Sequence, residues 1–243
     1  KNYSGGYAGA MTLTTALAKS YNTIPVWMSL EMSPRDSNGE RSYRAGRSKI
    51  LAMCKQLGLV SDIKDTPSLP IGAADVTVMD MTTGYAVFAN GGKRVSPFAA
   101  IEVRNSNGDI IWREDRDGPR QPQVLSNQVV GDLTYMMTKV IEEGTARRAI
   151  LEGVKAAGKT GTTNAYRDAW FVGYTGNYVA GVWFGNDDNS ATNNMTGGTL
   201  PAMVWREIMS YAHQGIEITP LPHLSRDIEP AIFSPSATAA IQI

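Results

Sequence analysis

The chain is short of the residues that most often carry chemistry. Its single cysteine, Cys54, excludes an internal disulfide and any cage of cysteine thiolates around a metal, and leaves the redox compartment undecided. Cys54 itself reads as a small buried apolar thiol. The only histidines, His213 and His223, stand near no plausible nucleophile in sequence and give little support to a Ser-His-Asp triad. No run of about 18 apolar residues occurs, so nothing reads as a membrane-spanning helix. Neither sign of charge prevails: 23 Lys plus Arg balance 23 Asp plus Glu, and no face is obviously built to neutralise a phosphate backbone. Nucleic acid is not an expected partner. Asp187 and Asp188 in GNDDN lack the ligand spacing and the glycine of a calcium loop. No metal and no cofactor is expected.

What is present is an ordinary globular composition, 42% hydrophobic and 19% charged over 243 residues, enough for one large domain or two small ones. Leu13, Ala16 and Leu17 predict a helix over residues 12–19. It breaks at the polar triplet Ser20, Tyr21, Asn22 before Pro25 opens a second helical run, TIPVWMSLEM, so the triplet sits at a helix junction. Ile50, Leu51, Cys54 and Leu57 share one face of a helix stopped by Gly58. Asp75 is the expected cap of the next helix, which carries Val78, Met79, Tyr85 and Phe88 and ends at Gly91 and Gly92. A hairpin follows, AAIEVRN turning to IIWRE. Ser126 then caps a helix with a wide stripe (Val129, Val130, Leu133, Met136, Met137, Val140, Ile141) closed by Gly144. The following VIEEGTARRAILE also reads as helical. After Ala156 the texture changes to strand: AWFVGYT and YVAGVWFG, joined by Gly176 and Asn177, predict an antiparallel hairpin. A polar loop, a helix over residues 200–213 and a tail with Pro220, Pro222, Pro230 and Pro235 complete the chain, the tail expected to lack a packed structure of its own.

Residues 153–160, GVKAAGKT, match the phosphate-loop pattern at every fixed position. Such a loop needs a strand before its glycines and a helix after its lysine, so that free N–H groups and the helix dipole converge on the phosphates. The flanks are of the opposite kind, a helical segment upstream and strand downstream, which argues against a nucleotide. The same lysine reads differently as the start of KTGT on a strand. Alternation there puts Lys159 and Gly161 on one face and Thr160 and Thr162 on the other. Gly161 suits a substrate lying close to the chain. Ser20-Tyr21-Asn22, an S-x-N triplet, precedes this K-T-G in the order used by serine acyltransferases that recognise penicillin.

With these motifs in register, the blocks NYSGGYAGAMTLTTALAKSYNT, IGAADVTVMDMTTGYAVFANGG, EEGTARRA and KAAGKTGTTNAYRDAWFVGYTGNYVAGVWFGNDD resemble the transpeptidase domain of class A penicillin-binding proteins, from about Asn2 to about Gln214. The resemblance implies an α/β (α+β) fold, an antiparallel sheet flanked by helices, with residues 1–214 as the transpeptidase part and 215–243 as a Pro-rich tail. It also implies peptidoglycan stem peptides and β-lactam antibiotics as partners, and cell-wall cross-linking outside the cytoplasmic membrane. Ser20 would relay a proton, Asn22 hold the substrate amide, and Lys159 supply positive charge beside a terminal carboxylate. Thr160, Gly161 and Thr162 would bind substrate, with the Thr162 N–H as an oxyanion donor.

The family's nucleophile lies in an S-x-x-K motif ahead of S-x-N. The only S-x-x-K here, Ser61-Asp62-Ile63-Lys64, comes after Ser20 and in a segment with Pro67 and Pro70 that reads as loop, where serine and lysine cannot stack one helical turn apart. The nucleophile is therefore expected N-terminal to Lys1, on a companion segment, and the chain alone is expected to be inactive. A β-lactamase-like hydrolase shares these motifs and differs in how fast water resolves the acyl-enzyme. A non-catalytic penicillin-fold binding module is the remaining alternative.

Overall fold

A computed structural model describes residue 2, residues 9–224 and the pair 232–233. The elements run β1 (Met11–Thr12), α1 (Leu13–Ala18), α2 (Thr23–Glu31), α3 (Tyr43–Leu57), α4 (Val78–Ala89), β2 (Glu102–Arg104), β3 (Ile110–Arg113), α5 (Glu114–Asp117), α6 (Asn127–Glu142), β4 (Ala157–Thr162), β5 (Asp168–Tyr174), β6 (Val179–Gly185), α7 (Leu200–Ala212) and β7 (Ile232–Phe233). β4, β5 and β6 form an antiparallel sheet in that order, while β2 with β3 and β1 with β7 make two-stranded ribbons. The architecture is the expected one, an antiparallel sheet with helices against it.

Local chemistry explains most boundaries. Thr12, Ser42, Thr77 and Ser126 each stand just before a helix and accept a hydrogen bond from a backbone N–H of its first turn, on Thr15, Ala45, Asp80 and Val129. Thr77 therefore takes the capping role expected of Asp75. The β5–β6 link is as tight as Gly176 and Asn177 suggest. The Thr175 N–H donates to the Tyr178 carbonyl at 2.9 Å, and the Thr175 hydroxyl accepts from the N–H groups of Asn177 and Tyr178.

The sheet separates two apolar layers. One gathers Phe171 and Val182 with Ala202, Trp205 and Met209 of α7 and Leu151; the other gathers Tyr174 and Ala157 with Phe88 of α4 and Met137 of α6. The α6 stripe is narrower than its spacing suggests: Val130 and Val140 are fully buried, but Val129 is 47% exposed. Its N–H is taken by the Ser126 cap, and its side chain falls off the seam.

Two expectations are corrected. VIEEGTARRAILE is not one helix, because α6 stops at Glu142 and only a 3₁₀ turn, Arg147–Ala149, follows. The chain leaves α6 to meet α1: a Cβ on Gly144 would lie 2.3 Å from the Ala18 carbonyl oxygen, and the Thr145 N–H donates to that oxygen at 3.1 Å. Nor is the start of the tail without packing. Asn177 exchanges hydrogen bonds with Thr219, Leu221 is buried among Phe88, Met137 and Tyr174, and β7 pairs with β1. A leucine between two prolines anchors the segment through burial that Pro-rich composition does not reveal.

Candidate active site

α1 ends in a Schellman turn: the Tyr21 N–H donates to the Ala16 carbonyl and the Ser20 N–H to the Leu17 carbonyl. The residue at the left-handed position of such a turn is normally glycine, yet here it is Ser20, at φ 57°. A non-glycine residue in that region costs on the order of 1 kcal/mol or more and persists where its surroundings hold it. The two Schellman bonds hold the backbone there, and Lys159 engages the side chain: its Nζ donates to Ser20 Oγ at 2.8 Å and to the Thr160 carbonyl at 3.0 Å. The sequence placed these residues far apart; the fold joins the α1 corner to strand β4 through them.

Asn22 begins the turn into α2. Its backbone is already helical, at φ −66° and ψ −31°, and its side chain makes no capping hydrogen bond, while Asn2 Oδ1 accepts from the N–H and hydroxyl of Thr23. Among the described residues the Asn22 amide has no hydrogen-bond partner, which leaves both donor and acceptor to a ligand.

β4 offers a backbone edge. Thr163 N–H donates to the Asp168 carbonyl, so by antiparallel alternation Gly161 and Lys159 also exchange hydrogen bonds with β5, and the N–H groups of Thr160 and Thr162 point away from it. Among the described residues β4 is an edge strand, so the outward Thr162 N–H has no strand partner, and it lies on the side where the Lys159 ammonium reaches the Thr160 carbonyl. The threonine hydroxyls lie on the α7 side. Thr160 Oγ1 is 2.7 Å from Thr145 Oγ1, and Thr162 Oγ1 accepts from the Gly197 N–H at 3.1 Å, which leaves the Thr162 hydroxyl hydrogen to donate elsewhere. Gly161 is half-buried, and a Cβ there would crowd the Trp170 Cβ at 3.2 Å.

The loop entering α7 lies directly on this strand. A Cβ on Gly197 would stand 2.1 Å from the Trp170 carbonyl oxygen and 2.6 Å from that of Gly161; one on Gly198 would stand 2.1 Å from the Thr145 carbonyl oxygen. A side chain at Gly197 would have to move the backbone of β4 and β5, and one at Gly198 the backbone of Thr145. Thr145, Gly197 and Gly198 were not among the residues expected here. Nothing in their types announces a site, although Thr145 falls within the EEGTARRA block.

Two sequence matches come apart. Lys159 lies in mid-strand and no helix leaves Thr160, so the phosphate-loop geometry is absent. Ser61 donates its hydroxyl to buried Asp80, whose carboxylate also accepts the Val60 and Ser61 N–H groups, while Lys64 pairs with Asp62 on the surface. Burial pushes the Asp80 pKa up, but the hydrogen bonds from Ser61 and Val60 outweigh it and hold the carboxyl below its usual value. Ser61 is thus tied to a structural carboxylate, in an extended loop and not one turn ahead of a lysine.

Burial lowers the pKa of Lys159 from 10.5 to about 8, with no carboxylate paired to it among the described residues. The unfolded chain keeps this proton up to about pH 10.5 while the folded chain releases it near 8. Stability therefore rises with pH across that window, by about 3 kcal/mol. Tyr85, pushed up to about 12 by burial, acts in the opposite sense above pH 10. Comparing urea midpoints of the wild type with Lys159→Met isolates the lysine: the substitution is expected to abolish the rise between pH 8 and 10.5, and an identical rise in both proteins would contradict the buried ammonium.

Residues 1–210 match the family described as penicillin binding protein transpeptidase domain. The chain belongs to this family. It is 33% identical over 226 residues to penicillin-binding protein 1A of Aquifex aeolicus, covering 90% of this chain and 29% of that protein. It is 31% identical to penicillin-binding protein 1B of Vibrio cholerae, covering 87% of this chain and 25% of that protein. The chain thus spans less than a third of the length of these curated relatives. Its fold matches the penicillin-binding protein PonA1 of Mycobacterium tuberculosis with a TM-score of 0.75 at 22% identity, over the whole of this chain and 67% of that one. PonA1 has also been solved in complex with penicillin V, with a TM-score of 0.73 and 23% identity over 91% of this chain and 61% of that one. In this member of the family, the corner of Ser20 and Lys159 is the place where two motifs of the sequence meet.

Proposed function

We propose that the chain belongs to a peptidoglycan D,D-transpeptidase, residues 1–214 forming part of its transpeptidase domain and 215–243 a Pro-rich tail. The observation that carries the reading is the 2.8 Å bond from Lys159 Nζ to Ser20 Oγ beside the open edge of β4. Membership of the transpeptidase family and the penicillin V complex of PonA1 support it.

In this reading a serine of an S-x-x-K motif outside these residues attacks the carbonyl of the penultimate D-Ala of a stem peptide. Its Oγ–C bond forms as the amide C–N bond breaks, and the terminal D-Ala leaves as an amine after taking a proton relayed by Ser20. The amine of a second stem peptide then attacks the ester, forms the cross-link and returns the proton to the serine. Asn22 holds the donor's amide in line, the Thr162 N–H receives the oxyanion, and Lys159 with the hydroxyls of Thr160 and Thr162 receives the terminal carboxylate beside Gly161. β-Lactams enter as mimics of the acyl donor. The reaction places the domain outside the cytoplasmic membrane, anchored through a segment other than these residues; among the described residues no helix is long and apolar enough to cross a membrane.

Labelled penicillin tests this. The chain extended upstream to include the S-x-x-K motif is expected to form an adduct that outlasts the labelling reaction, since a transpeptidase excludes water from its ester. Rapid loss of label with release of penicilloate would make it a β-lactamase-like hydrolase, and no label at all would leave a binding module.

A further inference from the structure

The hydroxyls of Thr145 and Thr160, 2.7 Å apart, are the one side-chain hydrogen bond among the described residues between the segment that follows α6 and the strand that carries Lys159. Thr145 is exposed, yet its backbone is fixed on two sides. Its N–H donates to the Ala18 carbonyl at the end of α1, and its carbonyl oxygen lies against Gly198 so closely that no Cβ fits between them. Two residues earlier, the Glu143 carbonyl accepts a hydrogen bond from the Lys19 ammonium at 3.0 Å. Thr145 is therefore held rigidly to the corner that bears Ser20, and it reaches across to β4 with its hydroxyl.

Two hydroxyls joined by one hydrogen bond hold two hydrogens, of which one is used between them. Whichever oxygen donates, a single O–H is left to point outward. The Lys159 ammonium is committed to Ser20 Oγ and the Thr160 carbonyl, and it stands 3.5 Å from Thr160 Oγ1, at the limit of a hydrogen bond. The outward O–H thus lies beside a cation with one N–H not firmly used. A cation and a neighbouring hydroxyl donor together suit an anion with two oxygens.

We propose that Thr145 is a positioning residue for the acidic end of the acyl donor: its bond to Thr160 fixes the rotor that presents a hydroxyl hydrogen to a terminal carboxylate held beside Lys159. The proposal rests on the transpeptidase reading and deepens it, since it makes Thr145 a determinant of preference for free acids over esters. Without the Thr145 hydroxyl, Thr160 is free to rotate and the carboxylate must order it on binding.

The test uses the chain extended upstream and two probes, a penicillin with its free carboxylate and the methyl ester of the same penicillin. Thr145→Val is expected to slow acylation by the acid about 10- to 100-fold, the range for one charge-assisted hydrogen bond, and to leave the slower reaction of the ester unchanged. Thr145→Ser restores the hydroxyl and is expected to stay within about threefold of wild type for both probes. Thr145→Ala serves the same purpose should the valine variant not fold. Equal slowing of both probes, full speed with the acid, or failure of Thr145→Ser to recover would each overturn the proposal. Ser20→Ala and Lys159→Ala run alongside: if neither slows acylation by the acid, the site reading itself fails, whereas their slowing with an unaffected Thr145→Val removes Thr145 alone.

Discussion

In the chain extended upstream, Lys159→Ala is expected to lower the rate of acylation by penicillin by about 10³-fold, while the protein remains folded. Lys159 contributes in three ways that alanine removes together. Its ammonium donates to Ser20 Oγ, so it fixes the rotor of the residue proposed to carry the proton. It donates to the Thr160 carbonyl and so steadies the outer edge of β4, one residue pair from the Thr162 N–H. It also places a positive charge in a partly buried groove, where the charge acts on a carboxylate far more strongly than in water. Loss of one oxyanion donor typically costs about 10² to 10³ in rate, and Lys159 serves more than one step. Lys159→Arg retains charge but not the compact three-donor head, and should recover only part of the loss. Acylation by Lys159→Ala within about threefold of wild type would remove Lys159 from the site.

The second large effect concerns the sheet that carries the lysine. Trp205 is fully buried on α7, edge-on to Phe171 with ring centroids 5.1 Å apart, and its indole N–H donates to the Ala180 carbonyl at 3.1 Å. Gly173 lies so close beneath that a Cβ there would stand 3.0 Å from the indole ring. Trp205→Ala would leave a cavity between α7 and β5 and remove the indole hydrogen bond to the Ala180 carbonyl, at a cost of about 3–5 kcal/mol. That is a large part of the roughly 5–15 kcal/mol by which a domain is stable. A urea titration reads the change directly, and a loss below about 1 kcal/mol would mean that α7 is not a main prop of the sheet. Because α7 opens from the Gly197–Gly198 loop seated on Gly161 and Thr145, the same substitution is expected to loosen the carboxylate end of the groove.

Much of this architecture was legible in the sequence wherever the signal was local. Gly176 and Asn177 between two β-rich runs specified the β5–β6 hairpin, and Ser126 before an apolar stripe specified the start of α6. The polar triplet at residues 20–22 marked a junction because no apolar face continues through it. The losses have physical reasons. Thr77 and Asp75 are both capping residues, and only the backbone decides which hydroxyl or carboxylate faces the first turn. EEGTARRA has helical composition, and what breaks it is a distant contact, the Ala18 carbonyl against Gly144. Leu221 looks like one apolar residue among prolines until the hollow between α4 and α6 is present to receive it. The same holds for the groove. The motif residues Ser20, Asn22 and Lys159 could be nominated from their pattern, but Thr145 and Gly197 acquire meaning only through what they touch.

The most direct test of the central claim, that the Ser20–Lys159 corner is one wall of a groove whose nucleophile comes from an upstream S-x-x-K segment, is to map the site of penicillin attachment. Labelled penicillin is applied in parallel to the 243-residue chain and to the chain extended upstream, and the modified peptide is identified by mass spectrometry. The expected result is no adduct on the former and a single adduct on an upstream serine of the latter. A stable adduct on Ser61, or on any other residue of the 243, would contradict it.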